Sequence, residues 1–175
     1  MVRDTYAVAN PSPDLRLATL DDAEAIRAIY NHEVEHSTVT FDLRARTLDE
    51  QRTWLVERSG AHAVIVAEVD GTVAGFASLG PWRPKPAYNT SVENSVYVSA
   101  EHRGLGVGHA LLGELCAVSD RHGFHAMFAR IVGANEASIA LHRRHGFADV
   151  GVEREVGRKF GRWLDVHLMQ RLAQR

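Results

Sequence analysis

One short stretch limits what this chain can fold into more than any other. Arg103-Gly104-Leu105-Gly106-Val107-Gly108 lies between an apolar strand-like run, Ser95 to Val98, and a run with Val107, Leu111, Leu112, Leu115 and Cys116 at helical spacing. The pattern is strand, glycine turn, helix start. A helix start leaves its first N–H groups without intrahelical partners, and the helix dipole is positive there. Glycines permit positive φ and let a ligand approach the backbone closely. The stretch therefore predicts an anion site suited to a phosphate, with Arg103 adding charge at its mouth. A Walker loop is excluded, because no Gly-Lys-Ser/Thr follows the glycines. A dinucleotide fingerprint fits poorly: His109 stands at the third glycine position, and the next strand run ends in Gly133-Ala134 rather than an acidic residue. Taken alone, the loop is also compatible with an ordinary glycine-rich turn.

The rest of the chain alternates strand and helix patterns. Leu15 to Ala18 reads as a strand, and Thr19-x-x-Asp22 as the start of a helix with Ala25, Ile26, Ile29, Tyr30 and Val34 on its apolar face. Thr47-x-x-Glu50 is a capping box for a second helix, with Trp54 and Leu55 facing inward. Ala61 to Val69 and Thr72 to Leu79 form a hairpin through Asp70-Gly71. Strand Ser91 to Val98, helix Gly106 to His122, strand Ala126 to Val132 and helix Glu136 to His145 follow, the last stopped by Gly146. Strand runs Ala148 to Val156 and Trp163 to Met169 finish the chain. The predicted class is α/β in the α+β sense, a mixed and mostly antiparallel seven-stranded sheet with helices on both faces.

A chain of 175 residues, 45% hydrophobic and 24% charged, suits one globular domain. We expect a loose tail over 1–13, ending in Asn10-Pro11-Ser12-Pro13, and a single domain over 14–175. A formal net charge of -2 gives no general nucleic-acid surface, and no apolar run is long enough to span a membrane. The opening Met1-Val2-Arg3-Asp4-Thr5-Tyr6 lacks a signal-peptide core, and one cysteine fits a reducing cytoplasm. A cytoplasmic protein with no nucleic-acid or membrane partner is the expectation.

Further motifs sharpen the reading. Asn135-x-x-Ser138 precedes Leu141-His142-Arg143-Arg144-His145-Gly146-Phe147. Gly80-Pro81-Trp82 and Tyr88 precede Ser91-Val92-Glu93-Asn94-Ser95-Val96-Tyr97-Val98, and Gly157 to Val166 reads GRKFGRWLDV. With the Arg-x-x-Gly-x-Gly turn, these motifs resemble the GCN5-related N-acetyltransferases, and within them the phosphinothricin N-acetyltransferase branch that includes methionine sulfoximine and methionine sulfone acetyltransferases. The resemblance runs in order from about Leu15 to the C-terminus. It implies the acetyltransferase fold, acetyl-CoA as co-substrate and no metal. It also implies that the strands Ser91–Val98 and Ala126–Val132 splay apart. The pantetheine arm would pair at Val96, Tyr97 and Val98, and the pyrophosphate would sit on Arg103, Gly104, Leu105, Gly106, Val107 and Gly108, with Asn135 and Ser138 also at the cofactor.

Acetyl transfer to an amine needs a base for the ammonium proton, a donor for the oxyanion and help for the departing thiolate. Glu93 shares a strand face with Ser95 and Tyr97, and the resemblance puts the base there. His142 stands where the wider family carries a tyrosine near the sulfur, which implies an acid. Residue by residue the alternatives stand: Glu93 in a structural ion pair, His142 as a packed helix residue, Asn135 as an N-cap. The sequence leaves open which of Glu93 and His142 is base and which is acid. Arg83, Lys85 and Tyr88, on a connection stiffened by Pro81, Pro84 and Pro86, suit the anionic groups of an amino-acid acceptor, or else a solvated loop. The branch carries lysine then arginine at this spacing, and this chain reverses them. Phe41 resembles a family residue beside the acceptor, or packs in the core. His122-x-x-His125 and His142-x-x-His145 lack the carboxylate or cysteine cluster of a metal site.

The function implied is acetyl-CoA-dependent N-acetylation of a small amino-acid-like amine by direct attack on the thioester. The alternatives are another amine acceptor, such as a protein N-terminus or a polyamine, and a non-catalytic acyl-CoA-binding regulator. The branch is usually dimeric. Trp163, Leu164, Val166 and Leu168 beside Arg158, Lys159, Arg162 and Asp165 suit a self-associating patch, or else complete the monomer's sheet.

Overall fold

The computed structural model of the protein describes residues 12–173, except Ser59 and Ala134. Most of the expected tail, 1–11, lies outside the described residues. The elements are β1 (Asp14–Leu17), α1 (Ala23–His36), α2 (Leu48–Glu57), β2 (Val64–Val69), β3 (Thr72–Pro81), β4 (Ser91–Val98), α3 (Val107–Arg121), β5 (Ala126–Val132), α4 (Glu136–Arg144), β6 (Ala148–Lys159) and β7 (Arg162–Leu172). The seven strands make one sheet in the order β1-β2-β3-β4-β5-β7-β6.

Strand alternation divides the core in two. On β2, Ile65 and Ala67 face α3, while Val64 and Val66 face α1 and α2. Leu111, Leu112 and Leu115 of α3 are fully buried on the first face, and Ile26, Ile29 and Val34 of α1 are buried on the second. Thr47 starts α2 as expected: its Oγ1 accepts from the Glu50 N–H at 3.2 Å, and the Glu50 carboxylate accepts from the Thr47 N–H at 2.7 Å. Among the described residues no helix is long and apolar enough to cross a membrane.

Every strand pair is antiparallel except β4 with β5, whose parallel run α3 makes possible as the crossover. That pairing lasts only from Ser91↔Ala126 to Asn94↔Ala129. Beyond it β4 continues to Val98 on β3, and β5 continues to Val132 on β7. This is the expected splay, and among the described residues it leaves one edge of Ser95–Val98 without a strand partner, the Val98 carbonyl accepting from Arg103 Nε at 3.3 Å.

Two hairpins use paired positive-φ residues, Asp70-Gly71 and Phe160-Gly161. The second sits farther along than the strand runs suggest, because β6 reaches Lys159 rather than Val156. The physical reason is a bulge between Glu153 and Gly157, where Glu155 has φ 50 and donates its N–H to Asp165 Oδ1 at 2.8 Å. An irregularity of this kind breaks the two-residue period that a strand is read from.

Candidate active site

Where β4 and β5 part, a cavity of ≈ 830 Å³ opens through the sheet, lined from both of its faces. At one end stands the α3 N-terminus. Gly104 and Gly106 take φ 79 and 85, and Gly106 caps the helix without a side-chain bond. The first-turn N–H groups of α3 are thus left for an anion. Gly108, in the same turn, lines the cavity between Leu141 and Val98. A pyrophosphate on this turn, with an amide-bearing arm along the open β4 edge, fits the residues present.

Glu93 lies on the α1/α2 face of β4, since its neighbours Val92 and Asn94 point to the other. Its half-buried carboxylate lines the cavity and makes no hydrogen bond among the described residues. Burial raises its pKa above the ordinary glutamate value. Arg130 on β5 opposes that rise, and Glu153 on β6 adds to it. A partly desolvated carboxylate without a fixed partner can take a proton from an incoming group.

His142 reaches the same cavity from the opposite face. It is buried, and burial lowers its pKa. Its Nδ1–H donates to the Ser138 carbonyl at 2.8 Å. Its Nε2 lies 3.0 Å from Asn94 Oδ1, while Asn94 Nδ2 donates to the Phe128 carbonyl at 3.0 Å. Asn94 closes the last β4–β5 pair, so this chain of contacts ties α4 to the apex of the splay. With the amide held by Phe128, the Nε2 contact is a hydrogen bond when the ring carries both protons, or when the amide turns over.

Of the other residues singled out, Val96, Tyr97, Val98, Arg103, Gly104, Asn135, Ser138 and Phe41 line the cavity. Asn135 caps α4, its Oδ1 accepting from the Ser138 N–H at 3.1 Å. Phe41 packs on Gly157 of β6, where any Cβ would clash with its ring. Lys159 Nζ donates to the Thr40 carbonyl at 3.0 Å beside it. Arg103 is paired with the buried Glu33 of α1. Leu105 is exposed, and Val107 is a core residue. Arg83, Lys85 and Tyr88 are exposed and line no part of this cavity, although Arg83 lies over the Trp82 ring, which stacks on Phe128.

Several participants carried no motif. Arg46 and Arg58 line the cavity from the two ends of α2, and Arg130 lines it from β5. Their signal was only positional: Arg58 follows Gln51 and Trp54 at helical spacing on the stripe that faces inward. Cys116 is buried, and burial pushes its thiol up to about 11, which makes it a poor nucleophile at neutral pH. His145 pairs with His109 at 2.9 Å, and among the described residues no cluster of three or more His, Cys, Asp or Glu could hold a metal ion.

The model of the acetyltransferase (GNAT) domain family matches residues 15–168. The chain is 41% identical over 157 residues to the L-methionine sulfoximine/L-methionine sulfone acetyltransferase of Salmonella typhimurium, covering 89% of this chain and 92% of that protein. Among solved structures it resembles a ribosomal-protein-alanine N-acetyltransferase from Brucella melitensis (TM-score 0.90, 42% identity, 91% of this chain and 99% of that one). It also resembles a phosphinothricin acetyltransferase from Sinorhizobium meliloti in complex with acetyl-CoA (TM-score 0.89, 37% identity, 93% and 89%). Likeness of this extent, over a sheet that parts where an acyl carrier would lie, makes the chain a member of the GNAT acetyltransferases, an N-acetyltransferase that uses acetyl-CoA.

Proposed function

We propose that the enzyme acetylates the α-amine of a small amino-acid-like acceptor of the methionine sulfoximine, methionine sulfone or phosphinothricin type. The acceptor class is supported by the 41% identity to a methionine sulfoximine/methionine sulfone acetyltransferase, and transfer to an amine by the Glu93 carboxylate at the splay, facing a cavity that extends to the α3 N-terminus. Bound acetyl-CoA supplies the activated acyl carbon. The α3 turn holds its phosphates, and the open β4 edge aligns its arm. Glu93 takes the amine's proton, directly or through water. His142 can donate to the departing sulfur only as the doubly protonated ring, with its Nε2–H turned from Asn94, because Nδ1–H is held by the Ser138 carbonyl. In this reading 14–175 is one acetyltransferase domain that works in the cytoplasm, and Arg83 and Lys85 draw anionic acceptors toward the opening.

A panel of acceptors tests this, with free thiol detected as acetyl-CoA is consumed. Methionine sulfone, methionine sulfoximine and phosphinothricin should be turned over faster than an alanine-terminated peptide or a polyamine. Preference for the peptide or the polyamine would overturn the acceptor class.

The homodimer belongs to the same proposal, with Trp163 kept from the expected patch and the other residues replaced. Leu164 and Val166 are core residues, so they are unavailable to a partner. Val150, Val152, Val156, Phe160 and Trp163 instead expose an apolar surface on the edge strand β6 and its hairpin. Apolar surface on an unpaired edge favours self-association. Sedimentation should find a dimer, and Phe160→Asp with Trp163→Asp should shift it to monomer. A wild-type monomer at all concentrations, with full activity, would end the claim.

A further inference from the structure

We propose that Arg58, assisted by Arg46, receives the α-carboxylate of the acceptor. This rests on the amino-acid acceptor reading above and adds the group that would select it.

Among the described residues four arginines line the cavity: Arg46, Arg58, Arg103 and Arg130. Three of them are matched by carboxylates. Arg103 pairs with Glu33, Arg130 with Glu153 at 2.7 Å, and Arg46 with Asp42 at 3.3 Å. Arg58 has no ion pair among the described residues, and its Nε is buried without a hydrogen-bond partner. Its guanidinium lies over Trp54, with Cζ 4.3 Å from the ring centroid. Arg46 follows the same plan, with Cζ 3.9 Å from the Tyr30 centroid and 5.3 Å from that of Trp54. Two cations gathered on one indole raise each other's cost, and burial together with Arg46 lowers the pKa of Arg58. An anion between them would relieve both terms.

The position suits an amino acid. A Cβ built on Gly80 would lie 3.9 Å from the tip of Arg58, so the guanidinium hangs over β3 at that glycine. Gly80 is the cross-strand partner of Glu93. An α-amino acid carries its amine and carboxylate on one carbon. With the amine directed at Glu93, the carboxylate can turn toward Arg58, whose planar fork matches two oxygens at once. The bare Gly80 leaves that path open.

The test compares an amino-acid acceptor, methionine sulfone, with the matching primary amine that lacks the carboxylate. Arg58→Gln should raise KM for methionine sulfone about tenfold, the loss of one charge-assisted bond. It should leave KM for the decarboxylated amine and the calorimetric affinity for acetyl-CoA unchanged, the latter also reporting an intact fold. Arg58→Lys, which keeps the charge and loses the fork, should fall between. Equal effects on both acceptors, or the tenfold effect appearing in Arg83→Gln or Lys85→Gln instead, would overturn the assignment. If wild type uses methionine sulfone and Arg58→Gln does not change its KM, this inference alone falls. If wild type acetylates only amines without a carboxylate, the acceptor reading falls with it.

Discussion

Glu93→Gln should lower kcat by about 10²–10⁴-fold, the usual worth of a general base, while leaving the affinity for acetyl-CoA unchanged. Glutamine keeps the shape and removes the proton acceptor. In the wild type the base form exists above Glu93's raised pKa, so turnover should fall as pH falls through it, and the variant should lose that limb. The same residue makes a stability prediction with a definite sign. A carboxyl whose pKa is higher folded than unfolded binds protons more tightly in the folded state. Wild-type stability should therefore decline as pH rises from the ordinary glutamate range through the raised value, and the full penalty should stand above it. The variant lacks this penalty, so its Tm should exceed wild type at pH 8 and converge with it in acid. Wild-type turnover in the variant across pH would remove Glu93 from the chemistry. A Tm below wild type at pH 8 would remove the desolvation argument.

Gly106→Val should weaken acetyl-CoA binding on the order of 10²-fold, with transfer at saturation much less affected. Gly106 has φ 85 and immediately precedes the first turn of α3. A β-branched residue resists that conformation by roughly 1–2 kcal/mol, and the turn is relieved by moving the N–H groups that follow it. Each charge-assisted bond lost to a phosphate is worth about 1.5–3 kcal/mol, so losing one or two gives the expected factor. Gly108→Ala is the contrast. Gly108 does not have a positive φ, and an added Cβ meets Leu141 Cδ2 at 3.5 Å and Val98 Cγ2 at 3.6 Å, ordinary contacts. Calorimetry on both variants, with Tm as the check on folding, decides the matter. Unchanged affinity in a folded Gly106→Val variant would move the phosphate site elsewhere.

The sequence by itself determined the order of elements, because helical and strand periods are local and both faces of this sheet are covered. Thr47-x-x-Glu50 and Asp70-Gly71 behave as their local chemistry dictates. The glycine turn announced an anion site for the same reason: positive φ and free N–H groups are properties of a few consecutive residues. Motif order also carried the family, with Glu93 and His142 in it.

What only the tertiary structure decided depends on distance in space. Arg46 and Arg58 stand at the two ends of one helix and read as solvated charges until Trp54 and β3 bring them onto one cavity. Arg103 reads as a free cation at the turn until Glu33, 70 residues away, takes it. Asn94 reads as one polar position in a strand, yet it meets His142 at 48 residues' separation just where β4 and β5 part. At the chain end, Leu164 and Val166 look equal to Trp163 in apolar character. Val166, opposite Val132 of β5, and Leu164, opposite Gly157 of β6, are buried, while Trp163, opposite Arg158, stays outside. Local sequence sets backbone preference and periodicity. Which charges meet, and which apolar side chains stay uncovered, is set by the register of strands far apart in the chain.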